Sequence, residues 1–263
     1  MSERDIVPAR RGLLDVLVTL RHFAIVTFAV RPEALARQLA PGFEPEVFGL
    51  ADGSQRALIS AVAFLDVGFR FRVMPWPRFT FGQTNYRAYV RHEGERCAWF
   101  FGTSLATPFV LVPRWIWRMP WHHARMRFDV AWSGERCARY ALTTRGGWGA
   151  ADVRLAGTDE PTGTLDGFAD DDETALVLTH PTDGYFRRSD GRVATYSIWH
   201  APLVMRRATA ERAHFEVFEE LGLVEHDQAP HSVLVQRETD YVIFLPPRAL
   251  PPSRALPADE PQR

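Results

Sequence analysis

The sequence contains no lysine, since all 31 of its basic side chains are arginine. This absence excludes reactions that begin at a side-chain amine, such as a Schiff base with a carbonyl substrate or with pyridoxal phosphate, because a guanidinium is a poor nucleophile. It also excludes the P-loop of nucleotide hydrolases, which needs a lysine. Covalent catalysis through a side-chain imine is therefore ruled out.

The chain also has almost no net charge, no long apolar run and only two cysteines. The 31 basic side chains face 32 acidic ones, and this balance gives no reason to expect nucleic acid or an anionic membrane as a partner. No apolar run approaches the roughly 20 residues that span a bilayer, and Asp15 interrupts the apolar stretch after Arg10 and Arg11, which argues against a signal peptide. Cys97 and Cys137 are too few for a disulfide scaffold. These features predict a soluble, cytoplasmic protein.

Short segments rich in β-branched and aromatic residues dominate the chain, and such segments are typical of strands. Turn sequences separate the predicted strands at 22–30, 57–65, 84–91, 97–102, 125–131, 137–145, 175–179, 193–200 and 232–244. The pentapeptide Gly-Glu-Arg-Cys-Ala occurs at 94–98 and at 134–138, and each copy predicts a hairpin turn that leads into a strand. The pattern indicates an α+β fold that is mainly β and antiparallel.

Helices are few in this pattern. Residues 32–40 begin with proline and end at a Pro-Gly pair, as a short helix does. Residues 209–221 carry an apolar face before a glycine and predict a second helix. Two prolines interrupt residues 105–119, so we expect a broken helix that lies against the sheet. Residues 146–172 are rich in Gly, Asp and Thr and predict an exposed excursion.

The chain is expected to form a single large domain. Residues 1–19 are interpreted as an N-terminal segment and residues 20–245 as the domain, because the C-terminal strands have too little apolar material for a core of their own. Residues 246–263 hold six prolines in eighteen positions and predict a disordered tail.

One predicted strand carries polar side chains at alternate positions. In residues 84–90, Asn85, Arg87 and Tyr89 share one face, because side chains alternate along a strand. Two interpretations stay open. These side chains face a polar cavity, or they form an exposed polar face while Tyr86 lies in the core.

Arginines border many of the apolar blocks: Arg21, Arg70, Arg72, Arg114, Arg118, Arg125, Arg127 and Arg145. Where two or three of them converge, their planar forks form a receptor for a carboxylate or a phosphate. The alternative is that each covers a surface or pairs with one of the 32 acids.

Histidine offers a candidate acid or base at His200, which ends an apolar strand. The alternative for this residue is a hydrogen-bonded histidine at a strand end. His122 and His123 are adjacent and do not share a face, so they are a poor metal pair, and no HExxH or CxxC spacing occurs. No metal and no cofactor are predicted.

The order of several motifs resembles the YqjF-like family of unknown function over roughly residues 20–245. The motifs are Leu20-Arg21-His22-Phe23, Leu39-Ala40-Pro41 with Gly42-Phe43, Gln83 to Val90, Trp99-Phe100-Phe101, Met119 to Ala124, Tyr185-Phe186 and His200-Ala201-Pro202-Leu203. The strand with asparagine, arginine, tyrosine and valine is the most specific of them. Their order and spacing carry the identification.

The resemblance implies a relative of acetoacetate decarboxylase, whose fold is a strongly bent antiparallel sheet, a β-cone, around a cavity with a few flanking helices. It implies that Arg21 matches the substrate-orienting arginine of that enzyme and that Gln83 falls near its acidic residue. The catalytic lysine of that enzyme belongs near Pro113-Arg114-Trp115, where Arg114 cannot form the imine. The resemblance therefore implies the cavity and not the covalent mechanism.

The leading hypothesis is an internal pocket for an anionic or carbonyl-containing metabolite, with lyase, dehydratase or isomerase chemistry that needs no Schiff base. The candidate residues are Arg21, Arg87 and Arg114 for the anion, Gln83 and Asn85 for orientation, and Tyr89 and His200 for proton transfer. The alternative is a binding protein that sequesters or senses an apolar small molecule without catalysis. A homo-oligomer is left open. Residues 69–81 predict either a partner interface or a strand pair that covers one end of the cone.

Overall fold

The computed structural model describes residues 12–146 and 148–250. Within them, fourteen strands hydrogen-bond into one sheet. The strands are β1 Val16–Val30, β2 Phe43–Pro45, β3 Val47–Gly49, β4 Gln55–Phe71, β5 Met74–His92, β6 Glu95–Leu105, β7 Trp121–His123, β8 Arg125–Ser133, β9 Arg136–Arg145, β10 Ala151–Pro161, β11 Asp183–Arg187, β12 Val193–His200, β13 Arg206–Phe215 and β14 Ser232–Ala249. The helices are α1 Pro32–Ala36, α2 Leu111–Ile116, α3 Asp171–Thr179 and α4 Glu216–Glu220, with a 3₁₀ turn at Pro108–Val110. In this described part, no helix is long and apolar enough to cross a membrane.

Seven of the strands close into a barrel in the order β1, β4, β5, β6, β11, β12 and β14, and β14 pairs back with β1. The β6 and β11 strands run parallel, whereas the other neighbours around the ring are antiparallel. The predicted fold, a mainly β structure with a bent sheet around a cavity and few flanking helices, is confirmed.

A second layer of strands covers part of the outside of the barrel. The sheet continues from β14 through β13, β10, β9 and β8. Its apolar side chains pack with outward-facing side chains of the barrel in one large core. Phe28 and Tyr86 from the barrel meet Phe215 and Phe218 in edge-to-face contacts. Barrel strands such as β5 are therefore buried on both faces.

The predicted helix at 209–221 is wrong over most of its length. Residues 206–215 form β13, and only the five residues of α4 are helical. Alanine, glutamate and arginine favour a helix in isolation, but here β13 pairs with β10 from Phe215 back to Arg206. The hydrogen bonds and packing of that pairing override a propensity of a few tenths of a kcal/mol per residue.

Two neighbouring predictions also fail. The exposed excursion at 146–172 contains β10, in which Ala151, Val153 and Leu155 are buried. The strand predicted at 175–179 is the end of α3, because Asp170 caps that helix by accepting a hydrogen bond from the Glu173 backbone N–H at 2.7 Å. The Gly, Asp and Thr content of 146–172 concealed β10, and the acidic residues at 170–173 form the first turn of α3.

Two barrel strands extend beyond residues 20–245, the range that the sequence assigned to the domain. The β1 strand begins at Val16, inside the segment assigned to 1–19, and β14 continues to Ala249, inside the tail assigned to 246–263. The remainder of that tail, from residue 251, lies outside the described residues. Residues 16–18 thus contribute to the barrel itself.

Other local predictions are confirmed. Both Gly-Glu-Arg-Cys-Ala copies lie at hairpins, with Gly94 at φ 85° and Gly134 at φ 60° in turns that favour glycine. Residues 105–119 contain a 3₁₀ turn followed by α2. Residues 69–81 form a strand pair between β4 and β5, with Trp76 exposed.

Candidate inner cavity

The barrel encloses a cavity lined mainly by apolar side chains of its inward face. Its lining consists of Val16, Val18, Leu20, Phe23, Val62, Phe64, Asp66, Phe69, Gln83, Asn85, Arg87, Phe100, Thr103, Met119, Trp121, Tyr196, Ile198, Tyr241, Ile243 and Leu245. The volume open to the centre of a water molecule is about 60 Å³. At about 10–15 Å³ for each water, this is room for roughly four to six waters or a ligand of similar size.

Arg87 is the cationic group of this cavity, and it is 7% exposed. One guanidinium nitrogen donates to the carbonyl oxygen of Leu178 at 2.8 Å and to the hydroxyl of Tyr89 at 3.3 Å. Its Nε has no hydrogen-bond partner, and no carboxylate of the described residues lies within 4 Å of it. A buried charge is costly unless it is paired. Arg87 is therefore a buried cation on the cavity wall without a carboxylate of the described residues beside it.

Tyr89 contacts the guanidinium of Arg87 but is not among the residues that line the cavity. Its ring lies under the guanidinium at 5.4 Å, and its hydroxyl shares a hydrogen bond of 2.8 Å with the hydroxyl of Ser60. Ser60 in turn is linked to Thr27 at 2.8 Å. This buried chain of hydroxyls holds Tyr89 in place, so the guanidinium has a fixed orientation.

Three hydrogen-bonded polar side chains also line the cavity: Gln83, Asn85 and Thr103. The amide nitrogen of Gln83 donates to Asn85 Oδ1 at 2.9 Å, and the hydroxyl of Thr103 donates to the same oxygen at 3.0 Å. Because Asn85 Oδ1 accepts both bonds, its amide nitrogen is directed elsewhere as a donor. The strand alternation proposed from the sequence thus places Gln83, Asn85 and Arg87 on the cavity face, and the opposite face of β5 lies in the outer core with Tyr86.

Asp66 is a cavity residue that sequence reasoning missed. It is 1% exposed, its Oδ2 has no hydrogen-bond partner among the described residues, and burial raises the pKa of its carboxyl well above the usual value. Alternation with Val62 and Phe64 on β4 places it inward. An acidic residue in an otherwise apolar strand was the available signal. Asp66 is the one carboxyl of the lining, and no histidine or cysteine of the described chain joins it there, so the cavity has no metal-ligand set.

Arg21 lies on the outside of the barrel, contrary to the expectation that it orients a ligand. Its Nε is 3.1 Å from Glu238 Oε2, and its side chain is 53% exposed. Counting back by twos from buried Phe23 predicts an inward Arg21. A bulge reverses this prediction, since the β1–β4 register shifts between Arg21 and Ala24 and His22 adopts φ 56°.

Arg114 also lies apart from Arg87, in a groove outside the barrel with a volume of about 570 Å³. Arg187, Arg188 and four tryptophans also line this groove. The Arg114 charge adds to burial in lowering the pKa of His122 to about 4. The predicted convergence of Arg21, Arg87 and Arg114 is therefore absent, because each lies in different surroundings.

The groove and the cavity share a wall. Phe100, Met119 and Trp121 line both of them. Met119 is buried and follows Arg118, which adopts φ 55°.

His200 does not line the cavity but lies behind Tyr241, which does. Its ring stacks on Tyr241 at 4.5 Å and meets His180 edge-on at 4.9 Å, and its Nδ1–H donates to the Ala201 carbonyl at 2.7 Å. Burial lowers the pKa of His200 to about 4. Burial also raises the pKa of Tyr241, so both rings are neutral at pH 7.

The depressed pKa of His200 predicts acid lability. The unfolded histidine takes up a proton below about pH 6.5, whereas the folded one stays neutral until about pH 4. The free energy of unfolding is therefore unaffected by this titration above pH 6.5. It decreases by roughly 3 kcal/mol as the pH falls toward 4. His200→Asn keeps a donor near Nδ1, so denaturant titrations at pH 7.5 and 4.5 should show a smaller loss than in the wild type. Exposed His123→Asn serves as the control, and an equal loss in both variants would contradict the assignment.

The closed barrel with its enclosed cavity defines a protein of the acetoacetate decarboxylase-like fold. The chain is similar to an acetoacetate decarboxylase-like enzyme from Sphingomonas wittichii RW1, with a TM-score of 0.58 and 11% identity over 91% of this chain and 94% of that one. It is similar to acetoacetate decarboxylase from Legionella pneumophila, with a TM-score of 0.55 and 14% identity over 93% and 92%. It is also similar to the enduracididine biosynthesis enzyme MppR, with a TM-score of 0.54 and 15% identity over 92% of each chain.

Within this structural class the chain belongs to the DUF2071 family, described as an uncharacterized conserved protein. The family match covers residues 18–240 and so includes every polar side chain of the cavity except Tyr241. The resemblance to YqjF-like proteins is confirmed. A comparison with curated proteins found no match.

Proposed function

We propose that the inner cavity binds a small carboxylate, and that this carboxylate also carries a carbonyl group. The observation that supports this most strongly is Arg87, a buried cation on the cavity wall without a carboxylate of the described chain beside it. A carboxylate ligand supplies the missing charge and a hydrogen-bond acceptor. The volume of about 60 Å³ restricts the ligand to roughly six non-hydrogen atoms.

The polar groups around Arg87 suit the carbonyl end of such a ligand. Burial raises the pKa of Asp66 well above its usual value and so favours the neutral carboxylic acid, which is a hydrogen-bond donor to an oxygen that gains negative charge. The amides of Gln83 and Asn85 fix the orientation. Asp66 thereby takes the proton-transfer role first assigned to Tyr89 and His200, because it borders the cavity directly.

This arrangement supports enolisation of the bound carbonyl compound, as in a lyase, dehydratase or isomerase. Enolisation places a proton on the carbonyl oxygen and removes one from the α-carbon, and it does not need an imine, which agrees with the absence of lysine. In this proposal Asp66 gives its proton to the carbonyl oxygen and the carboxylate so formed takes the α-proton, so that the acid is regenerated. A protein of the same fold, MppR, is described as complexed with pyruvate, and pyruvate has the size and groups inferred here.

The alternative function is binding without turnover. Apolar side chains form most of the lining, with Phe23, Phe64 and Phe69 among them. Such a surface suits the apolar part of a ligand that is sequestered or sensed. Both functions place the anion at Arg87, so they differ in turnover and not in the binding site.

A paired measurement tests the proposal. Thermal unfolding is followed with small 2-oxo acids such as pyruvate, with uncharged analogues such as acetone, and with longer 2-oxo acids. We expect stabilisation by the small anions alone. Exchange of the ligand's α-protons in deuterium oxide, followed by NMR, then separates enolisation from binding. Equal stabilisation by acetone and pyruvate, or by none of the small anions, would overturn the carboxylate site.

A further inference from the structure

A cluster of two histidines and one glutamate lies away from the inner cavity. His214 is on β13, Glu219 is on α4, and His226 is in the loop that follows. One ligand atom from each lies within 4.8 Å of the others. None of the three lines the inner cavity. The proposed function therefore does not account for this cluster.

The distances in the cluster match those between ligands of one metal ion. Glu219 Oε1 is 3.0 Å from His214 Nδ1 and 3.2 Å from His226 Nδ1. Zinc bonds to nitrogen and oxygen are about 2.0–2.2 Å, which sets neighbouring ligand atoms about 3.0–3.5 Å apart in octahedral or tetrahedral geometry. The carboxylate oxygen thus lies at the ligand spacing from both imidazoles.

Hydrogen bonding leaves one of these imidazoles unexplained. His214 Nδ1 is buried and has no hydrogen-bond partner among the described residues, although Glu219 Oε1 is near, because the two are not aligned for a bond. A metal ion between them would engage the His214 lone pair and the carboxylate together. Such an ion satisfies a buried nitrogen that the protein itself does not satisfy.

A second carboxylate sits on the far side of His226. Asp227 Oδ2 is 3.5 Å from His226 Nε2. In metal sites the second ring nitrogen of a histidine ligand commonly donates to a carboxylate, and this bond leaves the other nitrogen free to coordinate. Here His226 Nδ1 faces Glu219 and donates a hydrogen bond to its Oε1 at 3.2 Å, so a metal ion bound between them would replace that proton.

We propose that His214, Glu219 and His226 bind a first-row divalent cation of the zinc class. Two imidazoles and one carboxylate are borderline ligands that suit zinc better than magnesium or calcium. Three protein ligands leave a coordination position for water on the exposed side of His226. The ion would fasten β13, α4 and the following loop together, over the buried Val217 and Phe218.

Metal titration of the full chain tests the proposal. The protein is stripped with a chelator, and Zn²⁺ binding is measured by competition with a chromophoric chelator, while Co²⁺ is followed by its visible absorption. We expect one Zn²⁺ for each chain. His226→Ala changes an exposed side chain and should fold normally, and it should weaken Zn²⁺ binding at least about tenfold, since loss of a ligand exceeds the 10-fold to 100-fold effect of outer-shell changes.

Two further variants complete the experiment. Glu219→Gln keeps the shape of the side chain and removes its charge, so it should weaken Zn²⁺ binding as strongly. His123→Ala is the control, because it removes an exposed histidine that lies outside the cluster. Absence of tight Zn²⁺ uptake would overturn the proposal, and so would uptake that His123→Ala abolishes and His226→Ala retains.

Discussion

Replacing Arg87 with methionine is expected to abolish stabilisation by small 2-oxo acids while leaving the ligand-free protein at least as stable as the wild type. The variant removes the buried cation that faces the cavity, and truncation of one partner in a buried charged pair costs about 2–5 kcal/mol of binding, or at least about 30-fold in affinity. Methionine fills a similar volume and brings no charge into the barrel. Isothermal titration and thermal unfolding measure the two effects.

The expected gain in stability follows from the surroundings of Arg87. Without ligand, the guanidinium is buried with two neutral acceptors and an unpartnered Nε. Replacement of such a group by a well-packed apolar one is often neutral or stabilising. Tyr89 keeps its hydrogen bond to Ser60, so no new buried hydroxyl loses its partner there. A variant that binds worse and unfolds at a higher temperature is typical of a functional residue and not of a structural one.

Arg21→Met is the matched control for this experiment. Arg21 carries the same charge and pairs with Glu238 on the exposed surface, where an ion pair contributes about 0–1 kcal/mol. We expect ligand stabilisation to persist in this variant. Equal losses in both variants would place the anion elsewhere, and retained binding in Arg87→Met would exclude Arg87 from the site.

The contrast between Arg87 and Arg21 shows how far the sequence predicts the site. Alternation along β5 is regular from Gln83 to Tyr89 on the inner face, so its polar face follows from counting residues. On β1 a single bulge at His22 reverses the count, and nothing in the local composition marks that residue as a bulge. The face of a strand on which a side chain lies can therefore be predicted by counting residues only as far as the next bulge.

Asp66 was missed for a different reason. The predicted strand ended at residue 65, whereas β4 continues to Phe71, and an acid at the end of an apolar segment is read as a surface residue because an unpaired buried carboxylate is costly. The inward position of Asp66 can be inferred only once Val62 and Phe64 are known to face the interior of a closed barrel. Closure depends on β14 pairing with β1, more than 200 residues apart in the chain. Local pattern predicts the strands of this fold but not which of them close the ring.

Replacing Asp66 with asparagine is expected to make the protein more stable at high pH and to stop any enolisation. Because the folded pKa of Asp66 is raised, the folded protein retains a proton that the unfolded chain releases above about pH 4. Stability is then fully present below pH 4 and falls as the pH rises toward the folded pKa, by up to about 1.4 kcal/mol for each pH unit. Asparagine has no proton to lose, so its advantage over the wild type should grow with pH.

Denaturant titrations of the wild type and Asp66→Asn from pH 4 to 8 measure this advantage. Exposed Asp129→Asn, whose parent carboxylate pairs with Arg139 on the surface, is the control and should give a difference that does not grow with pH. A constant difference for Asp66→Asn would mean that Asp66 ionises normally in the folded protein. With an oxo-acid ligand in hand, the same variant separates two roles, because the asparagine amide still donates a hydrogen bond but cannot transfer a proton. Retained ligand binding with lost α-proton exchange would identify Asp66 as the acid, whereas full exchange in the variant would assign that step to another group of the cavity.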